Sequence, residues 1–269
     1  MNQLSPDYYR DETAVQSMAN THASIDYIRT IDPDFTLICP ILTPRFAPSC
    51  SSELLTRLGE LAKSSNLPIQ THMSENLAEV ALVKELFPGC SSYAHVYDVH
   101  GLLTDRTILA HCVHISSEEV ALCAERGAGI AHCPISNTGL TSGEAKVRWM
   151  IEGGVKVGLG TDCSGGYSPS ILESARQASN VSRHVCMKST LETKQTPQLA
   201  LAEILYLATM GGAEVCALQE KIGNFVVGKE FDALMIDPGV EGGNVDIFEE
   251  DEGDWDRVLS KWAFNGYFP

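Results

Sequence analysis

A unit recurs along this chain: a short apolar run, a loop with polar residues or glycine, then a stretch patterned for a helix. No other feature restricts the fold as strongly. The runs read FTLICPIL (35–42), PIQTHM (68–73), TILAHC (107–112), GIAHCP (129–134) and VKVGLGTD (155–162). Each is nearly continuously apolar, as expected of a strand covered on both faces. Between them, SSELLTRLGELAKSS puts Leu54, Leu55, Leu58 and Leu61 on one stripe behind capping serines. SENLAEVALVKELFPG repeats the stripe with Leu77, Val80, Ala81 and Leu86, and SSEEVALCAERGAG starts at a serine and stops at a glycine. Strand alternating with helix predicts an α/β fold built on a parallel sheet. Five units are visible, and an eight-stranded βα barrel needs three more.

The flanks differ from this core. The residues before Phe35 read as one helix and offer no further strand. TPQLALAEILYLATMGGAEVCAL reads as one strong helix, and IGNFVVGKEFDALMID alternates and turns like small β strands. The expected organisation is an incomplete barrel region over 1–217 and a β-type segment with an acidic loop over 218–269. With 44% hydrophobic residues, a sizeable core is expected. No apolar run reaches ~18 residues, which predicts no membrane span. The first residues lack the basic-then-apolar layout of a signal peptide, so a cytoplasmic, reducing setting is expected. The nine cysteines fit it: no two form a C-x-x-C pair. Cys39, Cys112, Cys133 and Cys216 lie in apolar stretches and are expected to be small buried hydrophobes. A net charge of −16 argues against nucleic acid or an anionic membrane as partner. Residues 241–256 hold eight acids and no base, half of that charge, and read as a solvated loop.

In a parallel α/β sheet, chemistry gathers at the C-terminal strand ends. Three consecutive runs end at His72, His111 and His132, and the last ends at Asp162. Imidazole nitrogens with one carboxylate oxygen suit zinc or iron(II) better than calcium or magnesium. Glu75 follows His72 by three residues and has two readings of equal weight. It could move a proton for a metal-bound water, or it could belong to the cap of the next helix. Arg45 and Phe46 could read a substrate carbonyl and stack on a flat ring, or form a salt bridge and a core ring. The paired glycines in GTDCSGGYS could admit a substrate or only turn the chain. His22, His95, His100, His114 and His184 read as surface or local hydrogen-bonding residues.

Taken together, TPRFAPSC, PIQTHMSEN, ILAHCVHISSEE, GAGIAHCPISN, VGLGTDCSGGYSPSILESAR and IGNFVVGKEFDALMID resemble the guanine deaminases of the amidohydrolase superfamily. The resemblance runs in order from about residue 35 to 237. It implies a (β/α)8 TIM-type barrel with a small β-sandwich and one zinc ion. It further implies hydrolysis of guanine to xanthine and ammonia in purine catabolism, and a homodimer. Carried over by motif, His72, His111 and Asp162 would hold Zn2+. Asp162 would also take a proton from the attacking water, and Glu75 would shuttle it to the departing amine. Arg45, Phe46, His72 and Asp162 would surround the purine. His132, in the more widely shared HCP motif, is not implied as a ligand.

The chain departs from that pattern in having no His-x-His pair anywhere. Its five runs would correspond to the fourth to eighth barrel strands. It therefore reads as an N-terminally truncated family member that also stops short at the C-terminus. Three metal donors and an uncovered sheet edge predict weak or no deamination by this chain alone, unless a second chain supplies the rest. Two other readings stand beside it: an amidohydrolase acting on a different amino-substituted ring, and a non-catalytic remnant that partners the full-length enzyme.

Overall fold

Four of the five apolar runs pair into one parallel sheet in a computed structural model describing residues 1–189 and 197–266. In chain order the elements are α1 (Ala14–Ile31), α2 (Ser52–Ser65), β1 (Ile69–Met73), α3 (Leu77–Leu86), α4 (Tyr93–Val99) and β2 (Thr107–His111). They continue with α5 (Ser117–Arg126), β3 (Gly129–His132), α6 (Pro134–Gly139), α7 (Val147–Glu152), β4 (Lys156–Leu159) and α8 (Ile171–Lys188). After these come α9 (Leu201–Ala208), α10 (Met210–Val215) and α11 (Trp255–Asn265). Strand order is β1-β2-β3-β4, so each strand lies beside its sequence neighbour and each crossover is helical. This is the arc of a βα barrel, as the alternation predicts.

The local signals explain where helices start. Ser51 accepts the Leu54 N–H ahead of α2, and Ser116 with Glu119 forms a capping box on α5. Gly127 then ends α5 at φ 72°, a conformation that costs glycine nothing. The register sets Thr71, Leu109, Ile130 and Val157 in one row across the sheet. All four are nearly inaccessible. The neighbouring row on the other face, His72, Ala110 and Ala131, is only half-buried, so the strands are not covered equally on both faces as expected.

The fifth run departs from expectation. Within 35–42 only Leu42 bridges to the sheet, at Ile69, and Leu37 and Ile38 are exposed. The reason is Asp32, whose carboxylate accepts the Leu37 and Ile38 N–H groups at 2.6 and 2.8 Å and the Thr36 hydroxyl. These backbone bonds also hold its pKa down at about 2. The backbone groups a strand would need are thus already used. Beyond Leu42 the chain does follow β1: Gln70 N–H donates to Leu42 and His72 N–H to Arg45.

The C-terminal expectations also change. Described residues 218–266 contain no strand, and Phe225, Val227, Phe231, Leu234 and Met235 are exposed. An alternating segment becomes a strand only where another strand accepts its hydrogen bonds; among the described residues no strand does, and Glu230 N–H reaches only the nearby Lys221 carbonyl. The long helix is two, α9 and α10, broken at Thr209. The break seats α10 on β4, where a Cβ on Gly158 would lie 2.8 Å from the Gly212 Cα. All nine cysteines are free; Cys112 and Cys133 are buried, whereas Cys39 and Cys216 are exposed. The acidic stretch is solvated except at Asp251, which is buried, accepts from Phe248 N–H and Lys261, and forms an ion pair with Arg257. Among the described residues no helix is long and apolar enough to cross a membrane.

Truncating the buried row should be costly. Leu109→Ala is expected to lower stability by about 2–5 kcal/mol in urea denaturation. Ile108→Ala, on the half-buried face, is expected to cost less; equal losses would contradict the assigned facing.

Candidate metal centre

The C-terminal ends of β1, β2 and β4 bring three of the four candidate residues together. His72, His111 and Asp162 each offer one ligand atom, and these atoms lie within 4.8 Å of one another. The two imidazoles stack with centroids 5.3 Å apart. Strand alternation alone would not produce this. His72 is in register with Ala110, so the next residue, His111, belongs to the opposite face. His111 instead takes φ 71° and Cys112 φ 50°, left-handed values that end the strand and redirect the ring. Ser74 and Asp162 are also left-handed, at φ 52° and 44°. Strained non-glycine residues at three strand ends mark a place where geometry is held by its surroundings.

Hydrogen bonds orient both rings. His72 Nδ1 donates to the Arg45 carbonyl at 2.6 Å, leaving Nε2 with a free lone pair. His111 Nδ1 is 2.8 Å from Asn137 Oδ1, which likewise leaves Nε2 free. His111 Nε2 is buried and has no hydrogen-bond partner among the described residues. It lies 3.8 Å from Glu75 Oε2 and 3.9 Å from Asp162 Oδ2. A buried lone pair facing two carboxylates is unfavourable unless a cation or proton lies between them. These donors therefore fit a metal ion of the zinc or iron(II) type.

Glu75 is not the helix cap. Asn76 caps α3 and Glu79 closes the capping box, which leaves the Glu75 carboxylate to accept from the Ser142 hydroxyl at 3.1 Å and face His111. The paired glycines pack on Asp162: a Cβ on Gly165 would lie 2.6 Å from Asp162 Oδ2, and one on Gly166 would meet the Thr161 carbonyl at 2.3 Å. Arg45 is exposed, forms no ion pair among the described residues, and holds its guanidinium 5.9 Å from the Phe46 ring centroid. Its carbonyl is the His72 acceptor, so the substrate-reading candidates are attached to the metal-ligand candidate.

His132 stays outside the group. It is buried, neither ring nitrogen has a partner among the described residues, and burial first, then His111, pushes its pKa down to about 3. His95 bonds locally, as expected, and His100 bonds both the Val96 carbonyl and the distant Ser52 hydroxyl, whereas His114 Nε2 reaches the Ser142 carbonyl at 2.8 Å, beyond its own loop. Residues that sequence reasoning did not single out are Asn137, Ser142, Glu79, Tyr93 and Tyr97. Asn137 stands in the quoted CPISN and the tyrosines share a helix face at i, i+4, which was the available signal. Burial raises the pKa of both phenols, so they remain hydrogen-bond donors at neutral pH.

The sequence profile of the Amidohydrolase family matches residues 2–265, and the chain belongs to that family. It is 51% identical over 265 residues to a probable guanine deaminase of Schizosaccharomyces pombe, covering 98% of this chain and 49% of that one. It is 42% identical over 268 residues to the guanine deaminase of Homo sapiens, covering 99% and 57%. The structure of a guanine deaminase from C. acetobutylicum with guanine bound in its active site superposes with a TM-score of 0.85 at 34% identity, covering 98% of this chain and 59% of that one. The chain thus spans about half the length of the curated relatives it matches.

The buried neutral imidazole of His132 has a pH signature. An unfolded chain protonates it near 6.5, the folded chain only near about 3, so the unfolded state binds more protons in between. Its contribution is complete above pH 6.5 and is lost as pH falls toward 3. The urea midpoint of the wild type is expected to drop more steeply from pH 7.5 to 5 than that of His132→Gln. Parallel profiles would show that His132 is not buried in its neutral form.

Proposed function

We propose that this chain carries the metal-binding and proton-transfer residues of a zinc-dependent guanine deaminase, which converts guanine and water to xanthine and ammonia in purine catabolism. The observation that carries the reading is the His111 Nε2 lone pair, buried without a partner between Glu75 and Asp162 and beside His72. Guanine as the substrate is supported by the relatives of that name at 41–51% identity.

His72, His111 and Asp162 would hold the ion. Zinc, when bound, supplies a water acidic enough to lose a proton near pH ~7. The chain's own residues do the rest. Asp162 accepts a proton from the attacking water. Glu75 protonates the purine ring and then carries a proton to the leaving amine, a two-way role that needs a carboxylate not already committed to a helix cap. Its Ser142 bond fixes one oxygen and leaves the other facing the site. Arg45, which pairs with no acid among the described residues, donates to a purine carbonyl, and the Phe46 ring lies against the base. His72 and His111 keep Nε2 free because Nδ1 of each is occupied.

The test combines metal content with ammonia release. Zinc binding through three donors is expected to be weak, and whatever ammonia the chain releases is expected from guanine and not from adenine, cytosine or an amino-triazine. Asp162→Ala should lose zinc. Glu75→Gln should keep it and lose ~10²–10⁴-fold in turnover. Zinc-independent release, or equal release from adenine, would overturn the assignment.

A further inference from the structure

Beneath the strand ends runs a buried polar chain outside the His72, His111 and Asp162 group. Tyr97, on α4, is fully buried, and its phenol oxygen meets three residues on two segments. It donates to the His72 carbonyl at 2.7 Å. It accepts the Ala47 N–H at 3.0 Å and the Thr71 hydroxyl at 2.9 Å. A phenol has one proton and two lone pairs, so its capacity is filled. Ala47 directly follows Arg45 and Phe46. The Arg45 carbonyl in turn accepts both the His72 N–H at 3.0 Å and His72 Nδ1 at 2.6 Å. One oxygen therefore clamps the 45–47 segment to β1, and that clamp keeps the carbonyl which sets the His72 tautomer in place.

One helical turn earlier the pattern repeats. Tyr93 stacks on Tyr97 with centroids 5.5 Å apart and donates to Glu79 Oε1 at 2.7 Å. Glu79 Oε2 accepts the Glu75 N–H at 2.9 Å. Tyr93 and Glu79 are both more than nine-tenths buried. Two tyrosines on one rigid helix thus reach the backbone of two different functional residues.

We propose that Tyr97 is a positioning residue of the metal centre, holding His72 with Nε2 toward the ion and Arg45 and Phe46 beside it, and that Tyr93 acts through Glu79 to hold Glu75. This rests on the metal-hydrolase reading above. The physical basis is that buried hydrogen bonds have no water to replace them. Losing the phenol oxygen leaves the Ala47 N–H unpaired, so the segment moves to find a partner. Partners that orient a metal-ligating histidine typically matter ~10–100-fold in metal affinity.

The experiment compares Tyr97→Phe with Tyr93→Phe in the full chain, each checked for folding by circular dichroism. Three readouts separate their roles: the zinc Kd from chelator competition, the His72 ring nitrogen shifts in zinc-free protein, and kcat and KM for guanine. Tyr97→Phe is expected to raise the zinc Kd ~10–100-fold and convert His72 from a single Nδ1–H tautomer to a mixture. Tyr93, whose hydroxyl lies 3.4 Å from the same His72 carbonyl but gives its proton to Glu79, is expected on change to Phe to alter Kd and the His72 shifts far less than Tyr97→Phe does and to lower kcat at constant KM. A role in stability alone would lower the melting temperature of both without this split. Wild-type Kd and His72 shifts in Tyr97→Phe, or one shared pattern in both variants, would overturn the proposal. Should Tyr97→Phe not fold, Thr71→Val removes the bond that orients the phenol and carries the same expectation at smaller size. If the wild type neither binds zinc nor acts on guanine, the metal reading fails, while the His72 shifts in zinc-free Tyr97→Phe still decide the clamp.

Discussion

The parallel pairing of β1 with β2, His72 against Ala110 and Met73 against His111, is the constraint on which the site depends. It places two imidazoles at neighbouring strand ends within one ring-stacking distance. Side chains alternate with period two, so a slip by one residue would send His72 to the face of the buried Thr71–Leu109–Ile130–Val157 row. Such a slip is expensive, because it would bury an imidazole and expose Ile69 and Met73 of the same strand. Core packing therefore protects the register, and the register protects the site.

Polar groups at the same end of the sheet are handled in two ways. Most are satisfied: the His72 and His111 Nδ1 atoms, the Glu75 amide and the Ala47 amide all have partners. Ten buried side-chain atoms among the described residues are not: His111 Nε2, both His132 nitrogens, Ser74 Oγ, Ser136 Oγ and Asn137 Nδ2 lie at this end of the sheet, and Arg106 Nε, Arg148 Nε, Gln219 Oε1 and Asp251 Oδ1 lie elsewhere. Buried polar atoms are paired in the great majority of folded proteins, so six at one sheet end are informative. The left-handed residues Ser74, His111, Cys112 and Asp162 fall in the same region.

Much of the fold was legible in the sequence because local rules and global packing agree there. The β1 to β4 runs are apolar enough to be strands, and the serine and asparagine caps start helices at the expected places. Legibility failed where a single tertiary contact decided the outcome. FTLICPIL has strand composition, but Asp32 takes its amides. IGNFVVGKEFDALMID alternates like a strand, but among the described residues no strand pairs with it. The predicted long helix breaks at Thr209 so that glycine can meet glycine at Gly158 and Gly212.

By itself the sequence determined the α/β class, the strand ends that carry His72, His111 and Asp162, and the membership expected from its motifs. These depend on residue type and spacing, which are local. Only the tertiary structure decided that Glu75 faces His111 while Asn76 caps the helix; the place of His132 outside the group was already implied by the resemblance. The tertiary structure alone revealed that His111 leaves its strand face to meet His72. It also revealed Tyr97, whose importance no spacing announces, because a phenol gains three partners only when Ala47, Thr71 and His72 are folded around it. Residue chemistry is written in the chain; which lone pair is left free is set by the neighbours that folding supplies.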